Sequence, residues 1–397
     1  MVTATINEQK NIVFIGASCA AIGASLDWCQ NHDENYRMIL IEAKSHFNHV
    51  FCFPRAAVVG GFEEELFVPY DNLFDGDDTI GKVIQARATA IHEDYVELDR
   101  EVPGFGNKVE YAYLVYSAGT RIPEPGRFKE ESKEECIARL KQHQKLIAEA
   151  ESPIVIGAGA VGLELASEIK EFYPEKNVTL VHSRNRYLPK FKVSVDVMTY
   201  NILKKKGIKQ VLGDRVRLPP GGYPQEVGPV EVHTLGGKVI HGDLAIMCIG
   251  MTPNNALLAE LAPDCINKKT GLVRIKPTMQ IEDDRFPNIF AAGDVCEHTD
   301  CKNGHSAWMQ AIAALTNIRK MIEGAPLEPY RSRNTANIRL VLGKKDAIIQ
   351  TDMLGPSIAV GSWIAGRNIP YNVHAAMSWF WLKNDLRAVA AKSIKPY

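Results

Sequence analysis

The sequence predicts an α/β protein with two doubly wound parallel sheets and a small α+β domain at its C-terminal end. Three observations predict it. NIVFIGASCAAIGAS (11–25) and SPIVIGAGAVGLELASEIKEF (152–172) each pass from an unbroken apolar strand, through a glycine turn, into a helix. Each is followed by a second apolar run, RMILIE (37–42) and NVTLVHS (177–183), so each reads as one βαβ half. Unbroken apolar strands belong to parallel sheets covered on both faces. From Arg331 the pattern changes to short strand-like runs, NIRLVLG and AIIQTDML, and an aromatic-rich end, AAMSWFWLKNDL.

The remaining elements follow in order. VIQARATAIHEDYVELD alternates as a β-meander does, and YAYLVYSAG (111–119) reads as a buried strand ending in a small-residue turn. ESKEECIARLKQHQKLIAEAE (131–151) has helical periodicity and mixed charge, which predicts a solvated connecting helix. The glycine- and proline-rich LPPGGYPQEVGP (218–229) marks a hairpin insertion or a surface loop. LAIMCIGMTPN (244–254) and NIFAAGDV (288–295) are further buried strands ending in turns, and GHSAWMQAIAALTNIRKMI (304–322) is a helical run.

Composition narrows the class. A chain of 397 residues, 46% hydrophobic and 23% charged, is long enough for two or three domains. Its 46 basic and 47 acidic residues give a net charge of −1, so no global basic field draws nucleic acid. No window reaches membrane-spanning length, and MVTATINEQK has neither the apolar stretch of a signal peptide nor the arginines of a transit peptide. The terminal KSIKPY is not a peroxisomal address, and the cytoplasm is the expected compartment. The eight cysteines contain no C-x-x-C pair and no zinc spacing, so no metal site is expected. Cys296 and Cys301, five apart, read as loop thiols of a reducing compartment.

The second glycine turn is complete. Gly157, Gly159 and Gly162 have the G-x-G-x-x-G spacing between strand and helix. The first permits the tight turn, the second lets backbone approach a pyrophosphate, and the third lets helix and strand pack closely. Phosphates then meet free N–H groups at the positive helix end. The next strand ends in His182, Ser183 and Arg184 where an acid would select against a 2′-phosphate. NADPH is therefore expected to be accepted, with NADH not excluded, and Arg184 is the candidate phosphate partner.

The first turn keeps only Gly16 of the three glycines, with Ser18 and Ala21 in the other two places. Serine is small and its hydroxyl can donate to a phosphate; alanine adds one methyl at the helix contact. Glu42, 26 residues after Gly16, stands where a ribose-binding carboxylate belongs. Gly293 and Asp294 end a buried strand just before a helix, which suits a ribityl hydroxyl and a flavin ring. Ala118 and Gly119 lie in a small turn fit for a chain crossing between domains beside a cofactor. The order of these elements predicts FAD in the first unit and NAD(P)H in an inserted second one. The expected divisions are 1–120 with 252–330 for FAD, 121–251 for NAD(P) and 331–397 for the C-terminal domain, a glutathione-reductase-like architecture.

At this level the chain resembles the apoptosis-inducing-factor-like flavoproteins, nearest their ferroptosis-suppressor branch, and more distantly the type II NADH dehydrogenases. GAGAVGLELASEIKEFYPEKNVTLVHS (157–183), FNHVFCFPRAAV (47–58), NIFAAGDV and LKNDL (382–386) carry the resemblance. It implies FAD contacts at Gly16, Ser18, Glu42, Lys44, Arg55, Ala88, Gly119 and Asp294. It implies NAD(P) contacts at Gly157, Gly159, Gly162, His182 and Gly250, with Glu164 near the nicotinamide and Lys383 near the flavin as the catalytic candidates. Hydride would pass to the flavin and electrons on to a quinone-like acceptor. Two departures stand out. Val2 replaces the glycine that N-terminal acylation needs, and the segment from Cys296 to Ala307, with His305, differs beside the flavin.

Three activities compete for this chain. The first is an FAD-dependent NAD(P)H oxidoreductase reducing a quinone-like or other aromatic acceptor. The second is a flavin-dependent tailoring oxidase of a specialised metabolite, reoxidised by oxygen. The third is a non-enzymatic signalling role, against which near-neutral charge argues. The run AAMSWFWL (375–382) has helical spacing, which reads as core or a homodimer contact; acceptor entry or a peripheral membrane contact is the other reading.

Overall fold

Two parallel sheets with the same strand order organise the computed structural model, which describes residues 9–332, 337–351, 357–367 and 369–385. In the first sheet the strand Lys10–Ile15 lies between Tyr36–Glu42 and Tyr113–Tyr116. Gly81–Gln85 is added outside the former, and Ile289–Ala291 outside the latter. In the second, Pro153–Ile156 lies between Thr179–Val181 and Leu244–Met247, with Lys209–Val211 outside. In chain order both sheets run third, second, first, fourth, which is the doubly wound arrangement. The apolar runs explain it: Ile12 to Phe14 and Ile154 to Val155 are wholly buried, so both faces of each sheet are covered.

Each half inserts antiparallel structure before its fourth strand. In the first half this is the three-stranded meander Ala88–Ile91, Tyr95–Val102 and Gly106–Glu110. The alternating run had predicted a meander throughout; its opening residues, Val83 to Gln85, instead extend the parallel sheet beside Tyr36–Glu42. In the second half, residues 218–229 form irregular chain that leads into the hairpin Val230–His233 with Val239–Gly242. Thr120–Arg121 and Thr252–Pro253 pair antiparallel where the chain leaves the first sheet and returns to it.

Helices cover the sheets as their sequences dictate. Cys19–Gln30 packs on Gly304–Glu323, and Gly23 makes room for the Trp308 indole, which a Cβ there would meet at 2.4 Å. Asn303 caps the longer helix by accepting from Ser306 N at 2.9 Å. Lys133–Glu149 is capped by Ser132, whose Oγ accepts from Glu135 N at 3.3 Å and donates to Glu135 Oε2 at 2.8 Å, and it buries Cys136, Leu140, His143 and Ile147 along one stripe. Beyond residue 331, Ile338–Val341, Ala347–Thr351 and Ile358–Val360 make a three-stranded antiparallel sheet, followed by the short helices Ser362–Ala365 and Ala375–Trp381. Leu386 of LKNDL, the KSIKPY end and most of MVTATINEQK lie outside the described residues. No helix among the described residues is long and apolar enough to cross a membrane.

Candidate functional site

A single cleft of about 2780 Å³ runs between the two sheets and the C-terminal segment. That is several times the roughly 300–1,000 Å³ of one small-molecule pocket. Both glycine turns open into it, and they are built alike. Gly16 N donates to Ile41 O and Gly157 N to Val181 O, both at 2.8 Å. Both glycines have positive φ, +98° and +105°, and a Cβ on either would come 2.7 Å from the carbonyl oxygen of the crossing strand, Ser117 or Cys248. Neither turn can form with a side chain at that position.

The third motif positions differ. A Cβ on Gly162 would lie 1.9 Å from Gly157 O, so the intact turn requires glycine there for packing. Ala21 is wholly buried at the corresponding place in the first unit. Neither Gly162 nor Ala21 is on the cleft wall. Gly159 is a different case: a Cβ there would meet no protein atom within 4 Å and would project into open space. No contact within the chain requires that glycine, and the open space beside it fits a pyrophosphate approaching backbone. Ser18 occupies the equivalent position, extended, exposed to the cleft and making no cap bond within its helix. These observations fit dinucleotides at both turns.

The residue ending the second strand of each unit braces its turn. Glu42 accepts from Ala17 N at 2.8 Å and from Lys44 N at 3.1 Å. His182 Nδ1 accepts from Ala158 N at 3.3 Å, and burial together with Arg184 lowers the imidazole's pKa, so a neutral ring replaces a carboxylate. Arg184 is exposed on the cleft wall and has no ion-pair partner among the described residues. Ala88, Ala118, Gly119, Gly250, Gly293 and Asp294 also line the cleft. Lys44 lines it too, its ammonium donating to Phe128 O at 3.0 Å and to Glu130 O.

Several lining residues carried no sequence signal. Arg127 places Nη2 4.0 Å from Asp294 Oδ2, and Lys302 Nζ donates to Cys296 O at 2.9 Å beside the same turn. Arg339 and His374 reach the cleft from the C-terminal segment. No motif marks these isolated basic residues; only the fold brings them together. Cys19, at a helix start, is a half-buried thiol that desolvation pushes up to about 11, so it is no thiolate. All eight cysteines are unpaired.

Glu164 stands on the cleft wall in the first turns of the helix Ala160–Phe172, and its Oε1 accepts from Val341 N at 3.1 Å. Burial pushes its carboxyl up to about 8, so it holds a proton at neutral pH.

Two implied contacts are not at the cleft. Arg55 is 2% exposed and meets Glu168 through Nη2–Oε1 at 2.8 Å and Nε–Oε2 at 3.1 Å. Its remaining N–H groups go to the carbonyls of Gly343, Pro370 and Tyr371, which leaves none for a flavin. Lys383, at a left-handed φ of +55°, is exposed away from the cleft wall and pairs with Asp75 on the surface. The aromatic run before it divides three ways. Ala375, Ser378, Trp379 and Leu382 are buried, Phe380 is 80% exposed, and Ala376, Met377 and Trp381 line the cleft.

Comparison with known proteins agrees with this geometry. Residues 10–316 match the model of the pyridine nucleotide-disulphide oxidoreductase family. The chain is 31% identical to Fe-regulated protein 8 of Mycosarcoma maydis, over 90% of this chain and 92% of that protein. It is 27% identical to ferroptosis suppressor protein 1 of Mus musculus, over 86% and 88%. The sulfide:quinone oxidoreductase of Aquifex aeolicus has a similar fold, with a TM-score of 0.69 at 20% identity over 98% of this chain and 93% of that one. The chain therefore belongs to the pyridine nucleotide-disulphide oxidoreductase family, among its apoptosis-inducing-factor-like members, and is an NAD(P)H oxidoreductase that uses FAD.

Proposed function

We propose that the protein takes hydride from NAD(P)H and passes the electrons to a quinone-like aromatic acceptor. One observation carries this reading: a single cleft is walled by both dinucleotide turns and by an apolar, aromatic surface from Phe51, Trp308, Met377 and Trp381. Such a surface suits a flat ring. Bound FAD supplies the two-electron carrier between the nicotinamide and the acceptor. The net reaction is NAD(P)H, one proton and a quinone giving NAD(P)⁺ and a quinol.

The chain's own residues bind, orient and balance charge. Gly16, Ser18 and Glu42 hold the first turn, with Asp294 and Arg127 near the adjoining end of the cleft. The N-terminus of Gly304–Glu323 directs its positive end into the same space. Gly157, Gly159, Gly162 and His182 form the pyridine-nucleotide turn. Arg184, exposed on the cleft wall close in sequence to His182, is the candidate partner of a 2′-phosphate, which supports acceptance of NADPH beside NADH. Protonated Glu164 keeps negative charge away from that wall.

The decisive experiment is anaerobic titration of the purified yellow protein with NADH and NADPH, followed by addition of a short-chain quinone. Bleaching by either nucleotide and recovery with the quinone are expected. A flavin that stays oxidised with both nucleotides overturns the proposal. Oxygen uptake with an organic substrate and no nicotinamide would establish the oxidase instead.

A further inference from the structure

Arg55 is the one arginine among the described residues that the structure buries almost completely, and its five N–H groups are all spent. They tie together three distant parts of the chain. Two bind the Glu168 carboxylate on the helix that follows the pyridine-nucleotide turn; one binds Gly343 O at 3.0 Å; two bind Pro370 O at 3.1 Å and Tyr371 O at 3.3 Å. One helical turn before Glu168, Glu164 accepts from Val341 N. The same helix therefore grips the C-terminal segment at two points.

The turn beginning at Pro370 is held in an unfavourable shape. Val373 and His374 are consecutive non-glycine residues with φ of +45° and +63°. Such strain persists where the surroundings over-determine it. Here His49 Nε2 lies 3.0 Å from Val373 O, Asn372 Nδ2 donates to Glu65 Oε2 at 2.5 Å, and Tyr371 Oη donates to Gly60 O at 3.4 Å. His374 begins the helix Ala375–Trp381, whose Met377 and Trp381 line the cleft.

We propose that Arg55 is a positioning residue: through Glu168 and the 370–371 carbonyls it sets the acceptor-side wall in fixed register with the pyridine-nucleotide helix. That wall's being the acceptor side rests on the function proposed above. Arg55 itself touches neither flavin nor acceptor.

The test compares Arg55→Met with the double variant Arg55→Met/Glu168→Met in the full-length, FAD-loaded protein. The single variant leaves an uncompensated buried carboxylate and can fail to fold; the double variant removes both charges and keeps apolar volume. In the double variant, amide exchange across 338–343 and 370–381 is expected to accelerate about tenfold, the effect of losing one or two hydrogen bonds. Exchange across 10–30 and FAD affinity stay unchanged. For a short-chain ubiquinone, kcat/KM falls by one to two orders of magnitude, on the order of what a misplaced wall costs. The rate of flavin reduction by NAD(P)H is retained within about twofold.

A double variant with wild-type exchange overturns the proposal, and accelerated exchange with wild-type quinone kinetics overturns it too, leaving the pair a structural brace. Loss of FAD affinity with unchanged exchange overturns it in favour of a flavin contact. If the wild type reduces no quinone, the function proposed above fails, while the exchange result still decides whether Arg55 positions the wall.

Discussion

Glu164→Gln isolates the proton that burial holds on the cleft wall. The folded carboxyl is raised from 4.5 to about 8, with burial the largest cause and the neighbouring Glu168 adding to it. A raised acid binds more protons folded than unfolded, so its contribution is fully present below pH 4.5 and is lost as pH climbs towards 8. At about 1.36 kcal/mol per unit, the wild type loses on the order of 3 kcal/mol by pH 7 and 5 kcal/mol above pH 8, relative to a side chain that stays neutral. Glutamine is that side chain, and its Oε1 can still accept from Val341 N. With an unfolding entropy of about 2.1 cal/mol/K per residue over 397 residues, 1 kcal/mol corresponds to roughly 1.2 °C. Differential scanning fluorimetry should therefore find the variant's Tm above that of the wild type. The expected gaps are about 2 °C near pH 5.5, about 4 °C near pH 7 and about 6 °C near pH 9. A gap that is flat across this range, or that shrinks as pH rises, would refute the reasoning and mean that Glu164 is ionised at neutral pH.

Four further substitutions probe the turns and the displaced candidates. Ser18→Gly should weaken FAD binding about fivefold if the hydroxyl donates one hydrogen bond, and fluorescence titration showing no change would mean that the hydroxyl is dispensable. Gly162→Ala forces a methyl to within 1.9 Å of Gly157 O; overpacking of about 1–3 kcal/mol should lower Tm by a few degrees and weaken NAD(P)H binding more than FAD binding. Arg184→Glu should raise KM for NADPH on the order of tenfold and change that for NADH far less, whereas equal changes would remove Arg184 from the 2′-phosphate. Lys383→Ala should leave the anaerobic rate of flavin reduction within about twofold, because the ammonium is engaged with Asp75. A large loss would return Lys383 to the flavin.

Much of the frame was legible because its physics is local. Unbroken apolar runs such as Ile12 to Ile15 and Pro153 to Ile156 encode two-sided burial, and the glycine after each encodes a conformation that a side chain cannot adopt. Those two features locate both turns, both helix starts and the acids or bases that end the next strands. The run beginning at Val83 was misread as meander from its start because alternation cannot distinguish an edge strand of a parallel sheet from a hairpin strand.

Arg55 and Lys383 show where local reading stops. Both lie in motifs that the resemblance assigned to the flavin, yet a long cation is placed by whichever acceptors the fold brings within its reach. For Arg55 those are Glu168, 113 residues away, and carbonyls about 300 residues away; for Lys383 it is Asp75. Glu164 is the converse: its position on the helix was readable, but its proton is retained by burial in the assembled fold, against the opposing pull of the Val341 N–H bond. By itself, then, the sequence determined two nucleotide turns, their order and the redox class, since glycine geometry and apolar periodicity act within a few residues. The tertiary structure alone decided which charges face the cleft and which are consumed in holding its walls, because Coulomb and hydrogen-bond partners are chosen in space.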